Sequence, residues 1–311
     1  MNKGMTERMN SKFEEGLSRI LTPSQILKEE AMAKHTTFRI GGPADYLLLP
    51  SKTEEVLAIV ELAKECDVPI TYLGNGSNIL VRDGGIGGAV IQFGSHMDYI
   101  RREGNTLIVG AGCILKDIAH YAAAEKLTGF EYFVGIPGSI GGAVFMNAGA
   151  YGGEIESVVT AVTAVCPDGI LRRYEREELQ FGYRHSVFQE NGCAICEVEI
   201  TLEDGEDERI REKLEDLTER RESRQPLDMP SAGSTFKRPE GYFAGTLIDQ
   251  TGLKGLRVGG AEVSTKHAGF VVNAGGATAK DVVNLIKEVQ KRVYEAHGVQ
   301  LEPEVKMIGK E

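Results

Sequence analysis

The chain has 311 residues, enough for two or three domains with sizeable cores. It carries 35 basic against 46 acidic residues, a net charge of −11, which argues against a nucleic-acid partner, because such binding needs clustered basic side chains. The opening stretch, MNKGMTERMNSKFEEGLSRIL, is charged throughout, unlike a secretory signal, and no apolar run approaches the length of a membrane span.

Met9, Phe13, Leu17 and Ile20 recur at helical spacing and predict an amphipathic helix. An apolar strand follows from Tyr46 to Leu49. Ser51 with Glu54 forms a capping-box pattern that opens a helix reaching about Glu65, and a second strand runs from Ile70 to Leu73. Strand, helix and strand together predict a parallel βαβ unit with a right-handed crossover. The second strand runs into Gly74-Asn75-Gly76-Ser77-Asn78-Ile79-Leu80, whose small residues free several backbone N–H groups to face one anion. The third glycine of a dinucleotide fingerprint is replaced by Ile79, and no helical pattern follows, which argues against a Rossmann site; a P-loop is excluded for want of GxxxxGK[ST]. A phosphate cradle and a plain Asn-Gly turn both fit what remains.

Strands are expected at Ala89 to Phe93 and Thr106 to Val109, then a helix on Leu115, Ile118, Ala119 and Ala122. Gly135 to Gly153 reads GIPGSIGGAVFMNAGAYGG, with seven glycines among apolar residues and almost no charge. Glycine serves where backbone turns through positive φ or approaches another group closely, so this stretch fits either a buried turn or backbone pressed against a large ligand. Val158 to Cys166 and Ile170 to Tyr174 read as a hairpin on Pro167-Asp168-Gly169, with a further strand from Ala194 to Leu202. Between them, Phe181 to Phe188 places Arg184 among aromatic side chains, where a guanidinium can be held in a fixed pose. The five cysteines are odd in number and scattered, and Cys193 and Cys196 lie three apart in a strand, facing opposite sides. They read as buried reduced thiols, which points to the cytoplasm.

The acidic and basic run from Glu203 to Glu222 is expected to be a solvated helix with Ile210, Leu214 and Leu217 as its apolar stripe; with Pro226 it marks a domain boundary. Beyond it come Pro230 to Pro239, a short helix from Ala244 to Thr251, strands around Val258 to Val263 and Gly269 to Val272, and a helix capped by Thr278 with Val282, Val283, Ile286, Val289 and Val293 inward. A last strand spans Val299 to Ile308 and puts Glu302 and Glu304 on one face. Arg224 to His267 holds six basic and four acidic residues, so Lys237, Arg238, Lys254, Arg257 and Lys266 form a candidate anion-binding surface. Ser234 follows Ala232-Gly233 on an expected tight turn. No histidine pair has metal-ligand spacing, and Gly138-Ser139-Ile140-Gly141-Gly142 does not match the GxSxG elbow of hydrolases. Spacing alone leads to a nucleotide-binding α+β protein, an enzyme.

Five stretches occur together and in order: Leu73 to Asn78, the IPGSIGGAVFMNAGAYG block, Tyr183-Arg184-His185-Ser186, AGSTFKRP, and Leu301 to Val305. In these the chain resembles the UDP-N-acetylenolpyruvoylglucosamine reductase (MurB) family, in its shorter type without the substrate-covering insertion. The resemblance runs from about His35 to Ile308. It implies an α+β architecture: a two-subdomain FAD-binding fold of the vanillyl-alcohol-oxidase (PCMH) type at residues 31–205, with subdomains of about 31–92 and 93–205, then a C-terminal α/β substrate-binding domain at 206–311, all preceded by a helical segment at 1–30. FAD is expected to be non-covalent, since residues 73–81 hold neither histidine nor cysteine, and NADPH is the implied electron donor. Leu73, Gly74, Asn75, Gly76, Ser77, Asn78, Ile79 and Leu80 would cradle the pyrophosphate, and Gly112, Gly138, Ser139, Ile140, Gly142, Asn147, Ala148 and Gly149 would lie along the rest of the cofactor. Arg184, Ser234 and Glu304 match the family's catalytic positions. Tyr183, Lys237, Arg238, Lys254 and His267 are the expected substrate contacts, although Arg238 stands where other members carry asparagine, and His267 where the longer type carries glutamine. The implied partners are small molecules, the enolpyruvyl ether of UDP-N-acetylglucosamine and NADPH, with no nucleic acid and no membrane insertion. A flavin oxidase of the same fold would account for the glycine blocks but not for Arg184, Ser234 and Glu304 together. A non-catalytic nucleotide-sugar binder would need no flavin.

Overall fold

The computed structural model describes residues 3–311, with side chains described from Ser11 onward; the side chain of Met9, expected on the first helical stripe, lies outside the described residues. The chain divides into two compact units that alternate along the sequence. The first comprises residues up to Lys28, Tyr46–Asn75 and Gly88–Glu219; the second comprises Glu29–Asp45, Gly76–Gly87 and Arg220–Glu311.

Helix α1 (Lys3–Ile20) buries Phe13 and Leu17 in the core of the first unit, beside α2 (Thr53–Glu65) with Val56, Ile59, Val60 and Ala63. The helix start differs from expectation. Glu55, not Glu54, takes the backbone N–H of Ser51 at 2.8 Å, because the first helical residue is Thr53 and the carboxylate one position later reaches back to Ser51. Strand Ile70–Leu73 pairs in parallel with Ile86–Gln92, Ile70 opposite Ala89 and Leu73 opposite Gln92. Parallel pairing thus falls to Ile86–Gln92 and not to the strand just before α2, which is not its neighbour. A five-stranded antiparallel sheet forms the other half of the unit. Its order is Leu171–Glu175, Val159–Val165, Ala194–Thr201, Thr106–Gly110 and Ile100–Glu103. Val162, Val198 and Val109 align across its centre and are fully buried.

Helix α3 (Leu115–Ala124) covers that core with Leu115, Ile118, Ala119 and Ala122. The glycine-rich stretch holds a helix that propensity alone argues against, α4 (Ile140–Met146). Ile140 and Val144, one turn apart, are both buried and tie it to the core, and Asn147 ends it in left-handed backbone at φ 42°. After the short α5 (Phe188–Asn191), α6 (Asp207–Arg224) lays Ile210, Leu214 and Leu217 on the core of the first unit.

The second unit is an antiparallel sheet in the order Ser231–Ser234, Phe270–Asn273, Ala261–Val263 and Arg257–Val258, with α7 (Ala244–Gln250) and α8 (Ala279–His297) packed in its core. Leu285, not the expected Val283, joins Val282, Ile286, Val289 and Val293 on the fully buried face of α8. Its N-terminus is doubly satisfied. Thr278 and Asp281 form a capping box, while the Asp83 carboxylate accepts from the N–H groups of Ala279 at 2.8 Å and Lys280 at 3.0 Å. Phe38, Ile40 and Leu80 enter this core from the two early excursions of the chain. The last strand is shorter than expected: only Lys306–Ile308 forms a regular strand, in parallel with Ile79–Val81, while Pro303 makes an isolated antiparallel bridge to Phe236. The chain changes partner within this stretch, from Phe236 at Pro303 to Ile79–Val81 at Lys306–Ile308, which breaks the single expected strand.

Candidate active site

In the first unit, Leu73 is buried at the end of its strand and Gly74 follows it against Ser139. A Cβ at position 74 would overlap Ser139 Oγ, so this is a position where the absence of a side chain is required. Ser139 Oγ is buried and has no hydrogen-bond partner among the described residues. A hydroxyl in that state costs free energy unless something else meets it. A polar atom of a bound molecule brought against the glycine notch would satisfy it, and a phosphate oxygen has the right chemistry. Asn75 fixes the loop by donating from Nδ2 to the carbonyl of Pro137 at 2.6 Å. Ser139 opens α4, where the N–H of Ile140 donates to the Cys113 carbonyl at 2.8 Å and that of Gly141 to the Ala111 carbonyl at 3.0 Å. Gly138, through its carbonyl, accepts from Leu115 at 3.0 Å, and a Cβ at Gly112 would strike the Gly94 carbonyl. Gly142, Ala148 and Gly149 belong to the same segment, Gly149 pairing with Glu154. The structure therefore brings three first-unit stretches expected around a flavin, 73–75, 111–113 and 137–141, into contact with one another.

Asn147, expected along the cofactor, has a definite protein-facing role. It is fully buried; its Nδ2 donates to the Gly182 carbonyl at 3.0 Å, and its Oδ1 accepts from the Glu156 N–H at 3.1 Å. Gly182 and His185 close a tight turn by mutual backbone hydrogen bonds of 3.1 Å, with Tyr183 and Arg184 at its corner. Arg184 sits there in left-handed backbone, φ 54°, which a non-glycine residue holds only when its surroundings impose it. Those surroundings include Gln189, whose Nε2 donates to the Arg184 carbonyl at 2.8 Å and to the Phe145 carbonyl at 2.9 Å, and Ser186, whose Oγ donates to the same Phe145 carbonyl at 2.9 Å. The guanidinium lies 4.9 Å from the centre of the exposed Tyr183 ring and 4.0 Å from Glu154 Oε1. Ser186 belongs to the Tyr183-Arg184-His185-Ser186 motif, but Gln189 was not expected from sequence; its only signal was its position shortly after Arg184.

In the second unit, the other candidates are joined by backbone. The Glu304 N–H donates to the Thr235 carbonyl at 2.8 Å, the Lys237 N–H to the Glu302 carbonyl at 2.8 Å, and Phe236 pairs with Pro303 between them. Pro303 occupies the pair that needs no N–H, so the proline costs nothing there. Glu304 stands at a fork: the residues before it pair with 235–237, and those after it run beside Ile79–Val81. Asn78 ties the fork to the anion loop, donating from Nδ2 to the Glu304 carbonyl at 3.3 Å while its own carbonyl accepts from Lys306 at 3.0 Å. Gly76 turns the loop at φ 63°, and a Cβ there would overlap the His35 carbonyl. Ser77 follows, its carbonyl 4.0 Å from where a Cβ would stand on Gly233. Ile79 and Leu80 begin the paired strand. Ser234, exposed, is thus one residue from backbone bonded to Glu304.

The expected substrate contacts are more dispersed. Lys237 pairs with Glu302 at 3.3 Å, Lys254 with Asp249 at 2.8 Å, and Arg257 with Glu262, while Lys266 donates to the Glu222 carbonyl at 2.7 Å. Arg238 lies 4.1 Å from the centre of the exposed Phe243 ring. Burial, helped by nearby Lys254, holds His267 below its ordinary pKa, so its ring is neutral at pH 7, and its Nδ1 accepts from the Gly269 N–H at 3.1 Å. As a neutral ring it offers a diphosphate no charge. Among the described residues no cluster of histidine, cysteine and carboxylate could hold a metal.

Residues 44–175 match the model of the FAD binding domain, and residues 225–308 that of the UDP-N-acetylenolpyruvoylglucosamine reductase C-terminal domain. A reductase of that name from Clostridium perfringens (strain SM101 / Type A) is 50% identical over 295 residues, covering 95% of this chain and 97% of its own. The chain belongs to the UDP-N-acetylenolpyruvoylglucosamine reductase family. The Geobacillus kaustophilus (strain HTA426) reductase is 49% identical over 286 residues, covering 92% of this chain and 94% of its own. The crystal structure of the MurB reductase from Thermus caldophilus superposes with a TM-score of 0.79 at 38% identity, covering 91% of this chain and 99% of that one. No helix among the described residues is long and apolar enough to cross a membrane.

Proposed function

We propose that this chain reduces the enolpyruvyl ether of UDP-N-acetylglucosamine to UDP-N-acetylmuramate, with FAD recharged by NADPH, as a step of peptidoglycan precursor synthesis in the cytoplasm. The observation that carries the reading is the fork at Glu304. It joins the loop at Gly76 to Leu80, the segment of Ser234 and the last strand within one unit. The FAD-binding part is taken as residues 31–205 with subdomains of about 31–92 and 93–205, the substrate-binding part as 206–311, and residues 1–30 as a helical lead-in.

The residues fit the cofactor. Ser139 Oγ, buried and unpartnered beside Gly74, is a ready donor for a pyrophosphate oxygen; the residues from Leu73 to Leu80 are proposed to complete the cradle, as the resemblance implies. A flavin held there would supply the redox chemistry, with reducing equivalents from NADPH and a hydride for the methylene carbon of the enolpyruvyl group. The remaining work is electrostatic and falls to the chain. Charge appearing on the α-carbon and its carboxylate is stabilised by Arg184, whose pose the loop fixes in advance, with Glu304 at the carboxylate end; preorganised groups of this kind supply several kcal/mol. Ser234 Oγ gives its proton to the carbon bearing the ether oxygen, so the vinylidene carbon becomes CH and the methylene CH₃. Serine is a weak acid, and the transfer is competent because the acceptor is a strongly basic carbon held close by. Tyr183, Lys237, Arg238, Lys254 and His267 are proposed to border the nucleotide sugar.

The test is an anaerobic visible spectrum of the purified protein. NADPH should bleach the flavin absorbance, and the enolpyruvyl substrate should restore it with formation of UDP-N-acetylmuramate. A colourless protein that takes up no FAD, or bleaching that oxygen reverses but the substrate does not, overturns the reading.

A further inference from the structure

The cysteine that matters to Cys193 is not Cys196, three residues on, but Cys166, twenty-seven residues earlier. Strands Val159–Val165 and Ala194–Thr201 are antiparallel neighbours, and their last register pair is Val165 opposite Ala194. One step further along the same ladder puts Cys166 directly opposite Cys193. The two sulfurs stand 2.9 Å apart, closer than unbonded sulfurs pack, and the Tyr174 hydroxyl lies 3.3 Å from one and 3.2 Å from the other. Residues directly opposite in an antiparallel pair have Cα atoms roughly 4.5–5.5 Å apart, within the span a disulfide bridges. The other three cysteines have no sulfur neighbour of this kind among the described residues: Cys66 ends α2, Cys113 donates to Asp98 at 2.8 Å, and Cys196 faces the Ala194 carbonyl.

We propose that Cys166 and Cys193 are a redox modification site, a dithiol that peroxide converts to an intramolecular disulfide. Cys166 is partly exposed and Cys193 is buried, which orders the steps. The Cys166 sulfur attacks a peroxide oxygen, the O–O bond breaks, and Cys166 becomes a sulfenic acid as one water leaves. The Cys193 sulfur then attacks the Cys166 sulfur and expels the second water. Two thiols lose two protons and two electrons, and hydrogen peroxide becomes two waters. Burial, with the Cys166 sulfur beside it, pushes the Cys193 thiol up to about 12, so it stays protonated and inert until its partner has reacted. The Tyr174 hydroxyl, bonded to both, can pass its hydrogen bond to whichever sulfur carries charge.

The loop such a bond closes, residues 167–192, contains the turn of Arg184. Oxidation would therefore clamp the two ends of the segment that presents this arginine, reducing its freedom in the unfolded chain and opening excursions in the folded one. The site stands on geometry alone and does not depend on the proposed reaction.

The experiment uses the full chain with its bound cofactor, reduced, freed of reductant and then exposed to hydrogen peroxide. Two of the five thiols should disappear on counting in denaturant, an unreduced digest should yield a peptide linking Cys166 to Cys193, and dithiothreitol should restore all five. The midpoint of thermal unfolding should rise by several degrees on oxidation. Cys166→Ser and Cys193→Ser should each form no such peptide and show no rise. Five persisting thiols, a cross-link between chains, or oxidation of Cys166 to the sulfinic acid with Cys193 still free would each overturn the proposal. If a single variant fails to fold, the digest of the unmodified chain decides alone.

Discussion

The two units hold their catalytic candidates by different means. In the second, Glu304 and the segment of Ser234 are fixed mainly by consecutive main-chain bonds, Glu304 to Thr235 and Lys237 to Glu302. In the first, Arg184 stands on a turn in left-handed backbone, and what holds that turn is a set of side chains reaching for carbonyls: Asn147 to Gly182, Gln189 to Arg184 and Phe145, Ser186 to Phe145. A main-chain ladder survives most side-chain changes. A turn held by side chains does not, so the arginine's pose is the more easily broken by a single substitution, while the serine's is broken only by removing the serine or disrupting backbone.

The largest effect short of the catalytic residues is expected at the glycine notch of the first unit. Gly74→Ala drives a Cβ into Ser139 Oγ and should cost about 1–3 kcal/mol, roughly 5- to 150-fold in FAD affinity, read by flavin retained on purification and by titration. Gly74→Ala with Ser139→Ala should bind FAD no more weakly than Ser139→Ala alone, since the overlap is then gone; equal weakness of the two Gly74 variants would place the fault elsewhere. Next, Gln189→Ala frees the Arg184 carbonyl and should slow flavin reoxidation by the enolpyruvyl substrate about five- to tenfold, near 1 kcal/mol, with NADPH-driven bleaching unchanged. Combined with Arg184→Ala it should add little further loss, because the two act as one unit; full additivity would contradict the positioning role. Thr235→Ala is the matched change in the second unit. It deletes the hydroxyl that accepts from the Val271 N–H at 2.9 Å and should cost about 1 kcal/mol of stability with reoxidation nearly unchanged.

The smallest effect is pH dependence at His267, the one expected substrate residue built into the second unit as a hydrogen-bond acceptor. Its folded pKa lies below the ordinary 6.5, chiefly through burial, so between that value and the lower folded one the unfolded chain binds more protons than the folded chain. Stability therefore falls as pH drops through about 6.5 toward the folded pKa, where protonation also removes the acceptor for Gly269. Denaturant midpoints from pH 7.5 down to 5.5 should decline less steeply for His267→Asn than for the unmodified chain; parallel curves would exclude the histidine as their cause.

Much of this was legible in the sequence. Apolar spacing located α1, α3, α6 and α8 because each buries a clean stripe, and Pro167-Asp168-Gly169 marked the hairpin because its turn chemistry is local. Helix α4 was hidden, since Gly141 and Gly142 read as loop, and only the packing of Ile140 and Val144 overrides them. The alternation of the chain between units was also hidden, because Phe38, Ile40 and Leu80 join a core built mostly after residue 230, and no local pattern announces so distant a partner. The family motifs named Arg184, Ser234 and Glu304, yet Gln189 and the Cys166–Cys193 pair appear only once the strands are in register. Asn147 shows the reverse case, a motif residue whose visible bonds go to the protein.

The central claim is that the chain runs two separable half-reactions and that Ser234 serves only the second. Anaerobic single-turnover spectroscopy of Ser234→Ala tests it directly. Bleaching by NADPH should proceed at the unmodified rate, and reoxidation by the enolpyruvyl substrate should fall by about 10² to 10⁴, the usual worth of a positioned general acid. Equal slowing of both phases would make Ser234 a structural residue, and reoxidation at the unmodified rate would remove it from the chemistry.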